Sequence, residues 1–498
     1  MFKLIYLNII VFKNYFKGIN VDNVIKKGFF SKGLRLAENK ISACMPIQEV
    51  PLPEKVLILL QQHFGEPCEP LVSRGEKVKT GQLIADSQKL FSAPLHATIT
   101  GTVTGITKVI NPFANNIVNA VEITGEGEEI WADLEQDIRI CEVSDILINS
   151  YSGGFKNDTQ IKQHDLHDAG SLWGKLIKIV NETGSEEIIR KVKNAGIAGL
   201  GGATFPTHVK LSTKKEIDTL IINGCECEPF ITADHRTMLE YGAQVLAGAY
   251  MIYKVLSPKV VYIAIENNKE DAIIFFAKLI EEAGLAENFK VISLKSSYPM
   301  GAEKTLIKTV LGKKVPVGAL PMDIGVVVNN VATAKAVFDA VSKGLPLISK
   351  VVTITGDIEN PQNLLARIGT PVIDLINYGN KFEKTNSKVI LGGPMMGNII
   401  VDLNFPVTKA VNCILLKKTK RLQESNCIRC GRCVNICPMD LMPLMYAAYA
   451  KNSKFEVLRD YYISTCIECG SCAYVCPSSI PIVAYIKTAK SVLTGYGK

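Results

Sequence analysis

Residues 175–350 alternate between short apolar runs and longer amphipathic stretches. The apolar runs predict strands near 217–222, 259–265, 289–294 and 324–328. The amphipathic stretches predict helices near 233–254, 268–284, 303–311 and 331–343. Strands that alternate with helices pair in parallel, so we expect an α/β domain with a largely parallel sheet.

The regions on either side of this domain have a β pattern. From residue 42 to about 125, glycine and proline break short alternations such as Val72–Ile84, which predicts a small barrel-sandwich domain of the biotinyl- or lipoyl-carrier kind. Lys89 lies in Ser-Gln-Lys-Leu rather than in a carrier's Asp-Lys-Ala or Met-Lys-Met, so we interpret this domain as a scaffold. Residues 350 to about 405 return to short strands with glycine turns.

The chain is therefore expected to have a multidomain α/β + β fold. The predicted divisions are an extension at 1–29, a barrel-sandwich domain at 30–130, an α/β domain at 140–348, a short β domain at 349–405 and a cysteine-rich helical module at 415–490. The extension has three lysines and no acid before Asp22. It is expected to be dispensable or loosely ordered, with anchoring at a membrane interface as the alternative.

Size, charge and aromatic content indicate which classes of partner this chain can have. The chain has 498 residues, too many for one core, and 56 basic against 48 acidic residues give a net charge of +8. That excess suits an acidic partner or an anionic membrane surface. With 2 Trp and 7% aromatic residues there is little to stack on bases, so we expect no nucleic-acid partner. No apolar run approaches the roughly 20 residues that cross a bilayer.

Eight of the 14 cysteines lie between Cys427 and Cys476. A disulfide scaffold would be a short secreted chain with cysteines throughout, and this chain is neither short nor evenly populated. Crowded, regularly spaced thiols in a large chain indicate a reducing compartment and a metal. A secreted protein is thereby excluded.

The eight cysteines form the ferredoxin pattern C-x2-C-x2-C-x3-C-P twice, at residues 427–438 and 466–477. In this pattern three thiolates of one loop bind one cubane and the fourth cysteine binds the other. The expected ligand sets are therefore Cys427, Cys430, Cys433 with Cys476, and Cys466, Cys469, Cys472 with Cys437. Zinc is the alternative, but its sites do not need a triplet followed by Cys-Pro. We therefore expect two [4Fe-4S] clusters that relay single electrons.

A glycine-rich loop spans residues 196–206. It follows a predicted helix rather than a strand and lacks the order G-x-G-x-x-G, so it is not a Rossmann fingerprint, and the chain has no P-loop. A phosphate or a flat ring could bind the loop's backbone N–H groups, and a structural turn is the alternative. Two histidines, His164 and His167, lie in a polar stretch and are expected to be solvated.

The run Asn223–Pro229 ends a predicted strand, where α/β sheets bind ligands. Its alternating carboxylates, Glu226 and Glu228, suit ribose hydroxyls or a nicotinamide amide. Cys225 and Cys227 are too close in sequence to hold a cluster alone, so we interpret them as an uninvolved thiol pair.

Four segments resemble the flavin- and NADH-binding subunit of respiratory complex I. The loop 199–210 resembles its FMN loop, and residues 223–229, 301–307 and 329–333 resemble its Asn-Ala-Asp-Glu-Ser-Glu-Pro, Gly-Glu-Glu-Thr-Ala-Leu-Ile and Asn-Asn-Val-Glu-Thr runs. Residues from Thr355 onward look like its SLBB-type β-grasp segment. Cys225 and Ala302 stand where that subunit has acids.

The order of all the domains is similar to that of the RnfC family, peripheral subunits of the ion-translocating ferredoxin:NAD⁺ oxidoreductase (Rnf) complexes. The resemblance implies FMN as a cofactor and NADH as a substrate. It implies that Glu228 and Glu303 face NADH and act in the reaction. It implies a cofactor site formed by Gly199, Gly201, Gly202, Ala203, Phe205, Lys210, Asn223, Glu226, Asn329, Asn330 and Thr333.

The expected function is that of an electron-transfer subunit, part of a translocating oxidoreductase, held peripherally on the cytoplasmic face of a bacterial membrane. Its partners would be the integral-membrane and peripheral subunits of the Rnf complex and ferredoxin or another small electron carrier. A cobalamin reductase is an alternative, although its β-grasp part is expected after the cysteine motifs rather than before them. An iron–sulfur conduit or adaptor that binds no nucleotide is the other.

Overall fold

A computed structural model of the protein describes residues 24–27, 32–113, 116–156, 169–380, 387–418 and 423–495. These ranges form four β-sheets of five, six, four and three strands. No helix within them is both long and apolar enough to cross a membrane. His164 and His167, whose solvation the sequence predicts, lie outside the described residues.

Eighteen strands occur in these ranges. In chain order they are β1 (Val24–Lys27), β2 (Ile47–Glu49), β3 (Lys55–Leu59), β4 (Glu69–Pro70), β5 (Lys77–Val78), β6 (Leu83–Asp86), β7 (Leu95–His96), β8 (Gly101–Asn111), β9 (Asn116–Gly125), β10 (Thr219–Gly224), β11 (Val260–Glu266), β12 (Phe289–Leu294), β13 (Val326–Asn330), β14 (Ser349–Gly356), β15 (Gln362–Arg367), β16 (Ser387–Leu391), β17 (Asn398–Ile400) and β18 (Cys413–Lys418).

The α-helices of the same ranges are α1 (Ile138–Lys156), α2 (Ala169–Glu182), α3 (Ser185–Asn194), α4 (Thr207–Leu211), α5 (Ala233–Glu240), α6 (Gly242–Leu256), α7 (Glu270–Glu282), α8 (Glu303–Leu311), α9 (Val331–Lys343), α10 (Val372–Asn377), α11 (Arg432–Asn435), α12 (Pro443–Lys451), α13 (Ser471–Tyr474) and α14 (Ile482–Leu493). Short 3₁₀ turns lie at Pro321–Ile324, Glu456–Arg459 and Ile463–Thr465.

The α/β domain has the predicted parallel sheet. Strands β12, β11, β10 and β13 lie side by side in parallel, each within two residues of its predicted position, and helices α5 to α9 connect or flank them. All residues of β10 except Asn223 are buried. Because both faces of this sheet are covered by other elements, its strands are apolar throughout rather than alternating.

The N-terminal extension was expected to be dispensable or loosely ordered, but its last described residues form a strand. Residues 24–27 form β1, which pairs in parallel with β12 at the edge of the α/β sheet. Val24 and Ile25 are half-buried there. Four residues of the predicted extension are therefore an ordered edge strand, because pairing with β12 satisfies their backbone groups.

The barrel-sandwich domain consists of two small antiparallel sheets, β3-β9-β8-β5 and β4-β6-β7, around one apolar core. The next domain is built on a six-stranded sheet in the order β17-β16-β18-β14-β15-β2, with α10 packed beside it. Strand β2 comes from the N-terminal region and pairs in parallel with β15. The β-grasp domain is thus completed by a segment about 300 residues away in sequence.

The cysteine-rich module packs α12 and α14 together around a core that includes Tyr446, Leu458 and Ile486. Its two short helices, α11 and α13, begin after Gly431 and Gly470, which both have left-handed backbone angles. Glycine is favoured at that conformation because it has no Cβ. The two motifs therefore share one local geometry.

Two glycine-to-alanine substitutions should have opposite effects on stability. A Cβ at buried Gly248 in α6 would lie 1.8 Å from the carbonyl oxygen of Ala334 in α9. Gly248→Ala should therefore destabilise the α/β domain by about 1–3 kcal/mol or more. At exposed Gly174 in α2 a Cβ meets no atom within 4 Å, and Gly174→Ala should stabilise it by roughly 0.5–1 kcal/mol.

The measurement is the thermal unfolding of the full chain followed by tryptophan fluorescence, because Trp173 is buried in the core of this domain. A midpoint lowered by Gly248→Ala and unchanged or raised by Gly174→Ala is expected. Equal shifts for the two variants would contradict the close packing of α6 on α9.

Candidate functional site

The parallel register brings three predicted site residues to one edge of the sheet. Asn223 on β10 lies beside Asn330 on β13, and Asn329 precedes Asn330. The Asn223 amide donates to the carbonyl oxygen of Gly301 at 2.9 Å. Asn330 caps α9 by accepting from the Ala332 N–H, and its Nδ2 donates to Asp234 at 2.7 Å. The carboxyl ends of two strands thus form a polar edge held in place by side chains.

The glycine loop is anchored at both ends and open in the middle. The N–H of Gly199 donates to the carbonyl oxygen of Phe205 at 2.9 Å. The N–H of Leu200 donates to the hydroxyl of buried Thr333 at 2.9 Å. Gly201, Gly202 and Ala203 are exposed between these anchors. A Cβ on Gly201 would lie 3.3 Å from that of Asn330, so the loop lies directly over the polar edge.

Two charged residues of the predicted site lie together beside this loop. The Lys210 ammonium donates to Glu303 Oε1 at 3.1 Å and to the carbonyl oxygen of Val328 at 2.8 Å. It also lies 5.9 Å from the centre of the Phe205 ring. Glu303 begins α8, and 39% of its side chain is exposed. The structure therefore places both groups next to the loop, with Glu303 open to solvent.

An aromatic cluster joins the barrel-sandwich domain to the loop. The Phe64 ring stacks on the Phe205 ring with centroids 5.7 Å apart, and the Phe91 ring meets both edge-on. The Phe64 N–H also donates to the carbonyl oxygen of Thr204. Neither Phe64 nor Phe91 was predicted from the sequence. No local signal points to them, because both lie in irregular loops of another domain.

The two alternating carboxylates point in different directions. Glu226 is buried, and its carboxylate accepts from the backbone N–H groups of Asp234 and His235 at the start of α5. Burial and the nearby Glu226 raise the pKa of Asp234 to about 7. Glu226 thus stabilises a helix start inside the α/β domain. It acts on Asn330 only indirectly, through Asp234.

Glu228 faces two other domains. Its carboxylate accepts from the backbone N–H groups of Met395 and Met396 in the β-grasp domain, at 3.1 and 2.8 Å. The Tyr298 hydroxyl lies 3.5 Å from Glu228 Oε1 and donates to the carbonyl oxygen of Cys469 at 2.6 Å. Burial raises the pKa of Glu228 to about 7. The strand-end segment is thereby linked to a predicted cluster ligand.

The residues present fit a flavin phosphate and ring. Exposed backbone at Gly201 and Gly202 offers N–H donors, and a Cβ on Gly202 would meet no atom within 4 Å. The buried Nδ2 of Asn329 has no hydrogen-bond partner among the described residues, so it is a donor available to a ligand. Gly199, Ala203, Phe205, Lys210, Asn223, Asn330 and Thr333 lie in the same region. Their direct contact with FMN stays a prediction.

The structure brings the crossed set of cysteines together. Cys466, Cys469 and Cys472 of the second motif line one pocket with Cys437 of the first. Of the other set, Cys427 and Cys430 are exposed and Cys433 and Cys476 are half-buried. No three candidate ligands in the described ranges approach closely enough for a single metal ion. The thiols of a cubane lie farther apart, because each binds a different iron.

The two strand-end thiols are protonated; Cys225 is buried and Cys227 is half-buried. Burial raises the pKa of both Cys225 and Cys227. Cys225 donates to the carbonyl oxygen of Ala264, and Cys227 accepts from the Gly301 N–H at 3.4 Å. Neutral thiols in such contacts pack as small apolar groups.

The raised pKa of Glu228 predicts a pH-dependent stability that Glu228→Gln removes. The folded carboxyl binds its proton up to a pH of about 7, whereas an unfolded glutamate does so only up to roughly 4.3. The protonated Glu228 carboxyl therefore makes its full contribution to the free energy of unfolding below the pKa of the unfolded state. That contribution is lost as pH rises through the pKa of the folded state. Between about pH 5 and 8 the thermal midpoint of the unaltered protein should fall relative to that of Glu228→Gln. Parallel pH profiles would contradict this environment for Glu228.

Comparison with protein families divides the chain as follows. The RnfC barrel sandwich hybrid domain matches residues 29–128, and the Nuo51 FMN-binding domain matches residues 192–339. The SLBB domain matches residues 351–398, and a 4Fe-4S dicluster domain matches residues 426–480. This series confirms the predicted fold class. Among solved structures, the NAD⁺-reducing [NiFe]-hydrogenase in the H₂-reduced state covers 63% of this chain at 19% identity, with a TM-score of 0.45.

Three curated relatives, each one component of a larger complex, match along most of the chain. The relative from the Na⁺-translocating ferredoxin:NAD⁺ oxidoreductase complex of Acetobacterium woodii is 36% identical over 87% of this chain and 89% of its own length. The relative from the ion-translocating oxidoreductase complex of Pseudomonas aeruginosa is 36% identical, and this chain spans 55% of its length. The relative from the proton-translocating ferredoxin:NAD⁺ oxidoreductase complex of Clostridium ljungdahlii is 38% identical over 85% of this chain and 84% of its own length. On these matches the chain belongs to the RnfC family of ion-translocating oxidoreductase complexes.

Proposed function

We propose that this chain is the peripheral electron-transfer subunit of a membrane-bound complex that couples electron exchange between NADH and ferredoxin to ion translocation. The names of its relatives in Clostridium ljungdahlii and Acetobacterium woodii support this assignment. Its partners are then the integral-membrane and peripheral subunits of the complex, together with ferredoxin or a similar carrier. Reduced thiols and the use of NADH favour the cytoplasmic face of the membrane.

One observation carries the proposal. The segment Asn223–Pro229, which ends a strand at the candidate flavin edge, is connected through Glu228 and Tyr298 to the backbone of Cys469. Cys469 also lines the pocket of the crossed cysteine set. A candidate nucleotide-binding edge and a candidate one-electron centre therefore meet at one buried junction, as an electron-transfer subunit requires.

The chain's own residues prepare the site for its cofactor. The glycine loop offers backbone N–H groups to a phosphate, and the Lys210 ammonium adds positive charge beside it. Asn223, Asn330 and Thr333 fix the edge below the loop, and the unpartnered Asn329 amide is available to the ligand. Glu303 faces the solvent from which NADH arrives. Bound FMN supplies the conversion between two-electron hydride and one-electron chemistry.

Two measurements test this function. Protein reconstituted anaerobically should contain about eight irons per chain and bind FMN, and it should reduce a dye at the expense of NADH. Co-purification with integral-membrane proteins should follow from its place in a complex. A protein that holds its clusters but neither binds flavin nor reduces the dye with NADH would instead be an iron–sulfur conduit or adaptor. NADH-dependent reduction of cobalamin would indicate the cobalamin reductase.

The crossed ligand set gives a sharp prediction. Cys437→Ala and Cys472→Ala lie in different motifs but should remove the same cluster, because both thiols line one pocket. Each variant should retain about four irons and lose the same electron paramagnetic resonance signal. Cys413→Ala, at a buried cysteine outside both motifs, is the control and should retain both signals. Loss of different signals in the two variants would contradict the crossing.

Thr333 should control flavin retention through the loop. Thr333→Val removes the acceptor of the Leu200 N–H at a fully buried position, and an unsatisfied buried donor costs about 1–3 kcal/mol. We expect weaker FMN binding with unchanged iron content, measured by flavin fluorescence during dialysis. Thr333→Ser keeps the hydroxyl and should restore binding. Equal retention by the valine variant and the unaltered protein would show that this anchor does not shape the site.

A further inference from the structure

The two cysteine motifs share a backbone but differ in their surroundings. Arg429 and Glu468 occupy equivalent positions, and both have a left-handed φ of 54°. The loop Cys427–Arg432 of the first motif, here called the outer loop, corresponds to the loop Cys466–Ser471 of the second, here called the inner loop. Differences between these loops therefore reflect what surrounds them rather than their local geometry.

The inner loop packs against the rest of the protein. Cys469 is buried, and its carbonyl oxygen accepts from the Tyr298 hydroxyl of the α/β domain at 2.6 Å. A Cβ on Gly470 would lie 2.7 Å from the carbonyl oxygen of Met395 in the β-grasp domain. The charge on Glu468 is paired with Lys490 at 2.7 Å. Contacts within the chain therefore occupy the inner loop.

The outer loop lies at the surface and carries positive charge. Cys427 and Cys430 are exposed, and Ile428 is 67% exposed, whereas the equivalent Ile467 is half-buried. Arg429 and Arg432 are both exposed, and neither guanidinium forms an ion pair with any residue that the structure describes. The equivalent inner positions are Glu468 and Ser471. The unpaired positive charge is thus specific to the exposed loop.

We propose that the outer loop is the docking surface for an acidic electron-transfer protein. Two unpaired guanidinium groups attract a negatively charged surface, and exposed Ile428 between the cysteines supplies an apolar contact at its centre. The exposed cysteines Cys427 and Cys430 hold their cluster at the same surface. The cluster that Cys427 and Cys430 would hold there would exchange one electron with the partner's iron–sulfur centre in each encounter, with no bond or proton exchanged.

This proposal rests on the proposed function, and its test separates the two. The full chain, reconstituted with iron, sulfide and FMN, is titrated with a small acidic two-cluster ferredoxin, and binding is measured at low and high salt. The double variant Arg429→Glu/Arg432→Glu is compared with Lys108→Glu/Lys454→Glu, which makes the same change of charge at exposed lysines elsewhere. Iron content and NADH-dependent dye reduction are recorded for each protein.

The unaltered protein and the lysine variant should bind the ferredoxin with an affinity that falls as salt rises. The arginine variant should bind roughly tenfold or more weakly at low salt while keeping its iron and its dye reduction. The docking proposal would be overturned if the unaltered protein did not bind the ferredoxin, or if both variants bound it equally weakly. It would also be overturned if the arginine variant bound the ferredoxin normally and lost only its binding to anionic lipid vesicles, measured in parallel. Loss of NADH-dependent dye reduction in the unaltered protein would instead overturn the proposed function.

An arginine variant that fails to retain iron is replaced by Arg429→Gln/Arg432→Gln, which removes the charge without reversing it. Its binding should show a weaker dependence on salt than that of the unaltered protein, because fewer charges are screened. An unchanged salt dependence would overturn the proposal.

Discussion

A single buried ammonium group holds the turn on which the candidate site depends. Lys40 Nζ donates to the carbonyl oxygens of Glu226, Glu228 and Ile231 at 2.8, 2.8 and 2.6 Å. Burial lowers the pKa of Lys40, and these three acceptors replace the water that burial removes. The turn after β10 is therefore built around one cation. Its shape directs the Glu226 side chain toward α5 and the Glu228 side chain toward the β-grasp domain.

The segment that carries Lys40 also ties the other domains together. Leu34 exchanges two backbone hydrogen bonds with Tyr298, and Lys32 pairs with Asp440 of the cysteine-rich module at 2.5 Å. Farther along, the Asn363 amide donates to the carbonyl oxygen of Ser42 next to strand β2. Residues 32–42 thus contact the α/β domain, the cysteine-rich module and the β-grasp domain. The junction between the flavin edge and the inner loop is held from several sides, which suits an electron path of fixed distance.

Patterns within short stretches of the sequence predicted the elements that depend only on neighbouring residues. Period and apolar runs gave strands β10 to β13 and their helices, and cysteine spacing gave the crossed pocket. Strand β1 was not predicted, and β2, which lies in the predicted barrel-sandwich region, joins the β-grasp sheet instead. Their partners, β12 and β15, lie hundreds of residues away and set the pairing. Glu226 and Glu228, just after a predicted strand, were both expected to suit ribose hydroxyls or a nicotinamide amide. They lie in the turn after β10, where side-chain direction follows no regular period, so only the structure shows that they diverge.

Two nearly identical cysteine motifs have different surroundings in this protein. Their glycines and left-handed positions fix one loop geometry, and the predicted crossing of the fourth cysteine would make each loop depend on the other motif. Neither property distinguishes an inner loop from an outer one. That distinction comes from Tyr298 and Met395, which lie outside the module and pack on the second loop alone. Which loop of this module packs against the rest of the chain and which lies at the surface is thus set by its surroundings, and not by the motifs themselves.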